Sequence, residues 1–143
     1  GKCASCWADV ALTTIEGAMV RNQSLMRTMR KLKYYNFLSR DSVLGCASNP
    51  LKCGGDGGCA GASATVAFNH VRQEGVAFLR DVPEDMAVSS RSGATPQCVG
   101  KDPRKLRIGI RSFVRMPRNG PRLINELLVQ NSPIAVAVDA TNW

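Results

Sequence analysis

Histidine is nearly absent from this chain: 143 residues contain one, His70. Aromatic residues are scarce, at 6%, and no internal repeat is visible. The longest apolar runs, such as Ile134-Ala135-Val136-Ala137-Val138, fall far short of the roughly 20 residues that a membrane-spanning helix needs, so no span is expected. Cys46, Cys53 and Cys59 match no common structural zinc spacing, and glycines 54 to 58 need no metal to form a loop. No metal or cofactor is therefore expected. His70 sits in a helical pattern and reads as a structural or surface residue.

What is present is the composition of an ordinary globular domain, 44% hydrophobic and 21% charged, long enough for a sizeable core. The formal charge is +8. Many of the cations fall between Lys101 and Arg122, where Phe113 is the one aromatic. A nucleic-acid surface wants basic and stacking side chains together, so no nucleic-acid partner is expected. The stretch 101–122 reads as a solvated basic face or a contact for an acidic protein partner. Arg27 to Lys33 reads as a charged helix surface.

Six cysteines (3, 6, 46, 53, 59 and 98) are many for a reducing compartment and favour an oxidising one. If one is a free nucleophile, the five others cannot all pair within the chain. The opening residues, Gly1-Lys2-Cys3-Ala4-Ser5-Cys6-Trp7-Ala8, set a cysteine and a bulky aromatic before a helical pattern. Backbone N–H groups at a helix start favour thiolate over thiol, which makes Cys6 a candidate nucleophile. Cys3-Ala4-Ser5-Cys6 is also formally a redox C-x-x-C. That chemistry calls for a preceding strand and an α/β pattern, which the helix-rich first half does not supply.

The apolar spacing predicts a helix from Cys6 to about Arg21 and a weaker one over Leu25 to Leu32, loosened at Asn22-Gln23-Ser24. A short helix capped by Ser39 should end near Gly45. Residues 47–61 are too glycine-rich for a regular element. Ala62 to Glu74 is helical again, stopped by Gly75. Val76 to Lys105 is irregular, with Pro83, Pro96 and Pro103 as breaks. Leu106 to Val114 alternates like a half-buried strand, Arg122 to Gln130 is a short helix, and Ile134 to Val138 an apolar strand after Pro133. Helices first and strands later suggest two lobes.

Gly1-x-Cys3-x-Ser5-Cys6-Trp7-Ala8 resembles the active-site segment of papain-like cysteine proteases, the cathepsins, written Q-G-x-C-G-S-C-W. Further likenesses follow in order: Ile15-Glu16-Gly17 to the end of the central helix, Leu38-Ser39 with Val43-Leu44-Gly45-Cys46 to the LSEQ-x-LVDC helix, and Gly58-Cys59-Ala60-Gly61 to the GCNGG loop. Phe68 to Gly75 resembles the F-x-Y-V-x-x-x-G helix, and Pro133 to Ala140 the GPVAVAIDA strand. The resemblance implies an α+β fold of two lobes. Residues 1–105 would form the helical left lobe and 106–143 the first part of a β-barrel right lobe, the rest lying outside the chain.

On that resemblance the function is a cysteine endopeptidase acting on peptide or protein substrates, in a lysosomal, vacuolar or secreted setting. Cys6 matches the catalytic nucleophile. Trp7, Gly61, Ala62 and Ser63 match substrate-binding positions, and disulfides Cys3–Cys59 and Cys46–Cys98 are implied. The family's glutamine would precede Gly1 and its histidine and asparagine would follow Trp143, so the chain is expected to be incomplete and, taken alone, inactive. The alternative is an inactive papain-like subunit of a larger assembly. Departures from the family pattern are Ala4 for glycine, Asp9 for an aromatic or small apolar residue, and Ala62 and Ser63 after the glycine loop. A carboxylate at position 9 is costly if buried unpaired.

Overall fold

A computed structural model describes residues 2–34, 37–117, 125, 129 and 133–138. Helix α1 (Cys6–Arg21) is its axis. Its inward face carries Trp7, Ala8, Ala11, Leu12, Ile15 and Met19, all buried. That spacing is the 3.6-residue period expected of a helix with one apolar stripe. Asn22 ends α1 and starts α2 (Gln23–Lys31): its backbone N–H donates to Met19 O, and its side-chain Oδ1 accepts from the Leu25 N–H at 3.0 Å. One residue with extended ψ therefore replaces the three-residue break suggested by the sequence. Met29 is the fully buried anchor of α2.

Ser39 caps α3 (Arg40–Cys46), accepting from the Ser42 N–H at 3.1 Å, and Val43 and Leu44 enter the core. Helix α4 (Ala64–Glu74) lays Val66, Ala67 and Val71 against α1. It begins two residues later than the sequence suggests, because Ser63 is still extended (ψ 152) and donates its N–H to Cys53 O. Gly75, with φ +68, closes the helix in a conformation that residues with a Cβ rarely adopt.

Helix α5 (Glu84–Ser92) stands where the sequence reads as irregular. Its signals are present: Pro83 at the N-cap, Glu84 and Asp85 in the first turn, and left-handed Gly93 at the C-cap. The prolines on either side conceal them, and few residues of α5 are buried, Met86 and Ser90 among them, so its apolar stripe is thin.

Strand β1 (Val76–Ala77) pairs antiparallel with β2 (Arg107–Ile108), Val76 opposite Ile108. The strand expected over Leu106 to Val114 is thus much shorter. Past Ile108 the ladder would face Gly75, already turned away as the helix cap. At its other end, Phe78 leaves to bridge Leu38 before a 3-10 turn over Leu79–Asp81. Residues 133–138 form no strand, for they have no ladder partner among the described residues. Pro133 instead packs on α1 at Gly17, where an added Cβ would come within 2.9 Å of its ring. The helix expected over Arg122 to Gln130 lies almost wholly outside the described residues. Among the described residues, a helix-rich body with one small sheet is the α+β class expected.

No helix is long and apolar enough to cross a membrane among the described residues. Much of the basic stretch is engaged within the chain. Lys101 pairs with Glu74, Arg104 with Asp102 at 3.0 Å and Lys105 with Asp81 at 3.6 Å. Arg107 donates to the Glu74 and Gly75 carbonyls that end α4.

Candidate active site

Cys6 is the first residue of α1 and is exposed, its thiol unbonded. Ser5 precedes it in helical rather than extended conformation and does not cap the helix with its side chain; its hydroxyl donates to Asp9 Oδ2 at 2.8 Å. The Cys6 backbone N–H makes no hydrogen bond among the described residues. The sulfur and an unspent donor therefore share one helix terminus, where the dipole favours negative charge.

Three links fix this segment to the glycine-rich loop. A disulfide joins Cys3 to Cys59. The Ala4 N–H donates to Cys59 O at 3.0 Å, and the Trp7 indole N–H to Gly58 O at 3.1 Å. Trp7 is 3% exposed, so its ring acts beneath the surface, as a strut between the two segments. The loop is held from the far side as well, the Cys59 N–H donating to Thr95 Oγ1 at 2.9 Å. A second disulfide, Cys46–Cys98, ties the end of α3 to the segment after α5. Because Cys3 is bonded to Cys59, a Cys3–Cys6 redox pair is excluded in this state. Cys46 and Cys59, both oxidised, are not free to bind zinc as thiolates. Two disulfides fit an oxidising compartment.

The departures from the family pattern are accommodated. Ala4 is exposed and does not have a positive φ, so its methyl group is unstrained. Asp9 is half-exposed and paired, with Ser5 and with Arg40 at 3.8 Å. Arg40 also holds buried Asp41 at 3.3 Å and donates to Ser90 Oγ at 3.2 Å, joining α1, α3 and α5. Nothing in the sequence spacing announced this hub, because its partners are distant along the chain. The same is true of Glu16, whose Oε1 accepts from the Leu38 N–H at 2.6 Å. Burial raises the Glu16 pKa above the ordinary carboxylate range, with that hydrogen bond opposing.

Gly61, with φ +91, lies beside this segment: a Cβ there would sit 3.7 Å from the Ala4 Cβ. Neither the N–H nor the C=O of Ala62 is hydrogen-bonded among the described residues. Next to it Ser63 is half-buried, its N–H spent on Cys53 O. His70 is elsewhere. It is buried on α4, and its Nε2 has no partner among the described residues. It lines a cavity of about 370 Å³ with Cys53, Asn69 and Glu74, to which Cys6 does not contribute. Burial lowers its pKa, as does Arg107, so the neutral imidazole is favoured there. No group of three or more acidic, histidine or cysteine side chains is gathered for a metal among the described residues.

Residues 1–143 match the family described as papain family cysteine protease. The chain belongs to that family. It is 29% identical over 145 residues to cysteine proteinase A of Leishmania mexicana and, by the same measure, to cysteine proteinase 1 of Leishmania pifanoi, covering 100% of this chain and 35% of each relative. Cathepsin K of Gallus gallus is 25% identical over 146 residues, covering 99% of this chain and 36% of that protein. The papain-family chain thus spans little more than a third of the length of these curated relatives.

Proposed function

We propose that this papain-family domain serves peptide-bond hydrolysis, with Cys6 as the nucleophile. The observation that carries the reading is the free, exposed Cys6 thiol at the start of α1, beside its own unspent N–H and anchored through Cys3, Ala4 and Trp7 to the glycine-rich loop. In this scheme the Cys6 thiolate attacks the scissile carbonyl carbon. The developing oxyanion accepts a hydrogen bond from the Cys6 N–H, which stabilises charge in the transition state. An imidazolium then protonates the leaving amine, and water hydrolyses the thioester to regenerate the thiol. His70, buried on α4, does not serve; the imidazole comes from outside these residues. Substrate backbone pairs with the open N–H and C=O of Ala62, with Gly61 and Ser63 at its flanks, while Trp7 supports the site from below.

Residues 1–105 would then be the helical lobe of a two-lobe enzyme and 106–143 the start of the second, working in a lysosomal, vacuolar or secreted setting. Cys53 supplies an internal control, being a second exposed free thiol, set in a loop rather than at a helix start. In the intact protein, iodoacetamide should alkylate Cys6 well ahead of Cys53. Cys6→Ala should lower kcat/KM for a peptide substrate by at least about 10³-fold. Equal labelling of the two thiols, with no peptide hydrolysed by the wild type, would instead establish an inactive papain-like subunit.

A further inference from the structure

From Gly17 to Arg40 the chain contains no Asp or Glu, yet it carries Arg21, Arg27, Arg30, Lys31, Lys33 and Arg40. Arg40 is spent on Asp9 and Asp41. Arg27, Arg30, Lys31 and Lys33 are exposed and form no ion pair among the described residues. This contrasts with the 101–107 stretch, where neighbouring acids or carbonyls take up the charge. Arg80 adds another guanidinium at the edge, stacked 4.9 Å from the Tyr34 ring centroid and donating to Lys33 O. Such a one-signed surface draws in anionic partners and repels basic ones.

Beside these cations, a groove of about 280 Å³ is lined by Val20, Gln23, Met26, Arg27 and Arg30. Its size is just under the roughly 300 Å³ at which small-molecule pockets begin, which suits one anchoring side chain. Val20, 51% exposed, and Met26 give its lining apolar side chains, and Arg27 and Arg30 give it cations. We infer that this face of α2 docks an acidic polypeptide segment, with an apolar residue seated in the groove and flanking carboxylates paired to Arg27 and Arg30.

The pattern of burial selects a peptide over other anions. Membrane-surface helices turn an apolar face outward, but the apolar residues of α2 turn inward, Met29 fully and Leu25 and Met26 in part. Its outer face holds Arg27, Thr28, Arg30 and Lys31. A sulfated polysaccharide would use the charges and leave the apolar lining idle. An acidic peptide with one leucine or phenylalanine uses both.

The test uses the intact protein with Cys6 carbamidomethylated, so that no probe is held or cleaved at the thiol. The probe is a fluorescein-labelled nonapeptide of glutamates around a central leucine, read by fluorescence anisotropy at physiological salt. Arg27→Glu with Arg30→Glu should weaken binding about tenfold or more, each reversal replacing an attraction with a repulsion. Val20→Asp should weaken it as well, and so should replacing the central leucine by serine. Arg91→Glu, on α5, should leave binding unchanged. Binding that survives the double reversal overturns the proposal. Equal affinity for the leucine and serine probes overturns it too. So does preferential, reversal-sensitive binding of heparin, of single-stranded DNA or of phosphatidylserine vesicles, since each would assign the surface to a different class of partner. Far-UV circular dichroism of each variant separates loss of the surface from loss of the fold.

Discussion

Removing the Cys3–Cys59 bond tests whether the position of the Cys6 thiol depends on the covalent link to the glycine loop. The bond closes a loop with a sequence separation of 56 residues. In the loop-entropy model, closing a loop of that size removes roughly 14 cal/mol/K from the unfolded chain, or about 4 kcal/mol at room temperature. The second disulfide, with a separation of 52 residues, overlaps this loop without shortening it, so the figure stands in its presence. Replacing both cysteines by serine avoids an unpaired thiol. With a urea dependence of about 2 kcal/mol/M, the unfolding midpoint should fall by about 2 M. The remaining ties, Ala4 N–H to Cys59 O and Trp7 to Gly58 O, contribute only about 1 kcal/mol each. The Cys6 segment should therefore loosen before the core does, and hydrogen exchange at Ala4 should quicken by more than at Met19. A midpoint shift below about 0.5 M, with Ala4 exchange unchanged, would refute the reasoning: the loop would then be held by packing alone.

Trp7→Phe deletes the indole donor and leaves Gly58 O unpaired, costing about 1–3 kcal/mol in urea unfolding. Gly58→Ala would place a Cβ 2.3 Å from Thr95 Oγ1 at a φ of +52 and displace the acceptor of the Cys59 N–H. It should cost at least about 1 kcal/mol and slow alkylation at Cys6 relative to Cys53. Arg40→Met leaves Asp41, 3% exposed, without its cation. Solvent screening at the partly exposed Arg40 limits the loss to about 1–3 kcal/mol, and Asp9→Asn should cost much less. The pKa of His70 is lowered in the fold, chiefly by burial, so the unfolded chain takes up a proton first as the pH falls. Stability should decline below about pH 6.5, by up to about 1.4 kcal/mol per pH unit, until the folded-state pKa is passed. His70→Gln should flatten that part of the profile, as measured by chemical denaturation across pH 4–7.

The elements that rest on local chemistry could be read from residue order. The apolar stripe of α1, the Ser39 cap and the Gly75 stop each follow from side chains within a few positions of one another. The Cys6 motif is local too, since a thiol at a helix start needs only its own turn. Helix α5 escaped because its buried face is thin. The β2 strand was overread because alternation in sequence cannot reveal how much partner strand exists. Packing decided the ties that cross the chain: Trp7 to Gly58, Glu16 to Leu38, and Arg40 to Asp9, Asp41 and Ser90. It also decided that Trp7 is buried. The sequence by itself determined that the Cys6 thiol stands at a helix start, because helix formation acts over one or two turns. Tertiary structure alone decided the hydrogen bonds that hold the segment in place and, among the described residues, which cations stay outside ion pairs, because both depend on residues brought together from distant parts of the chain.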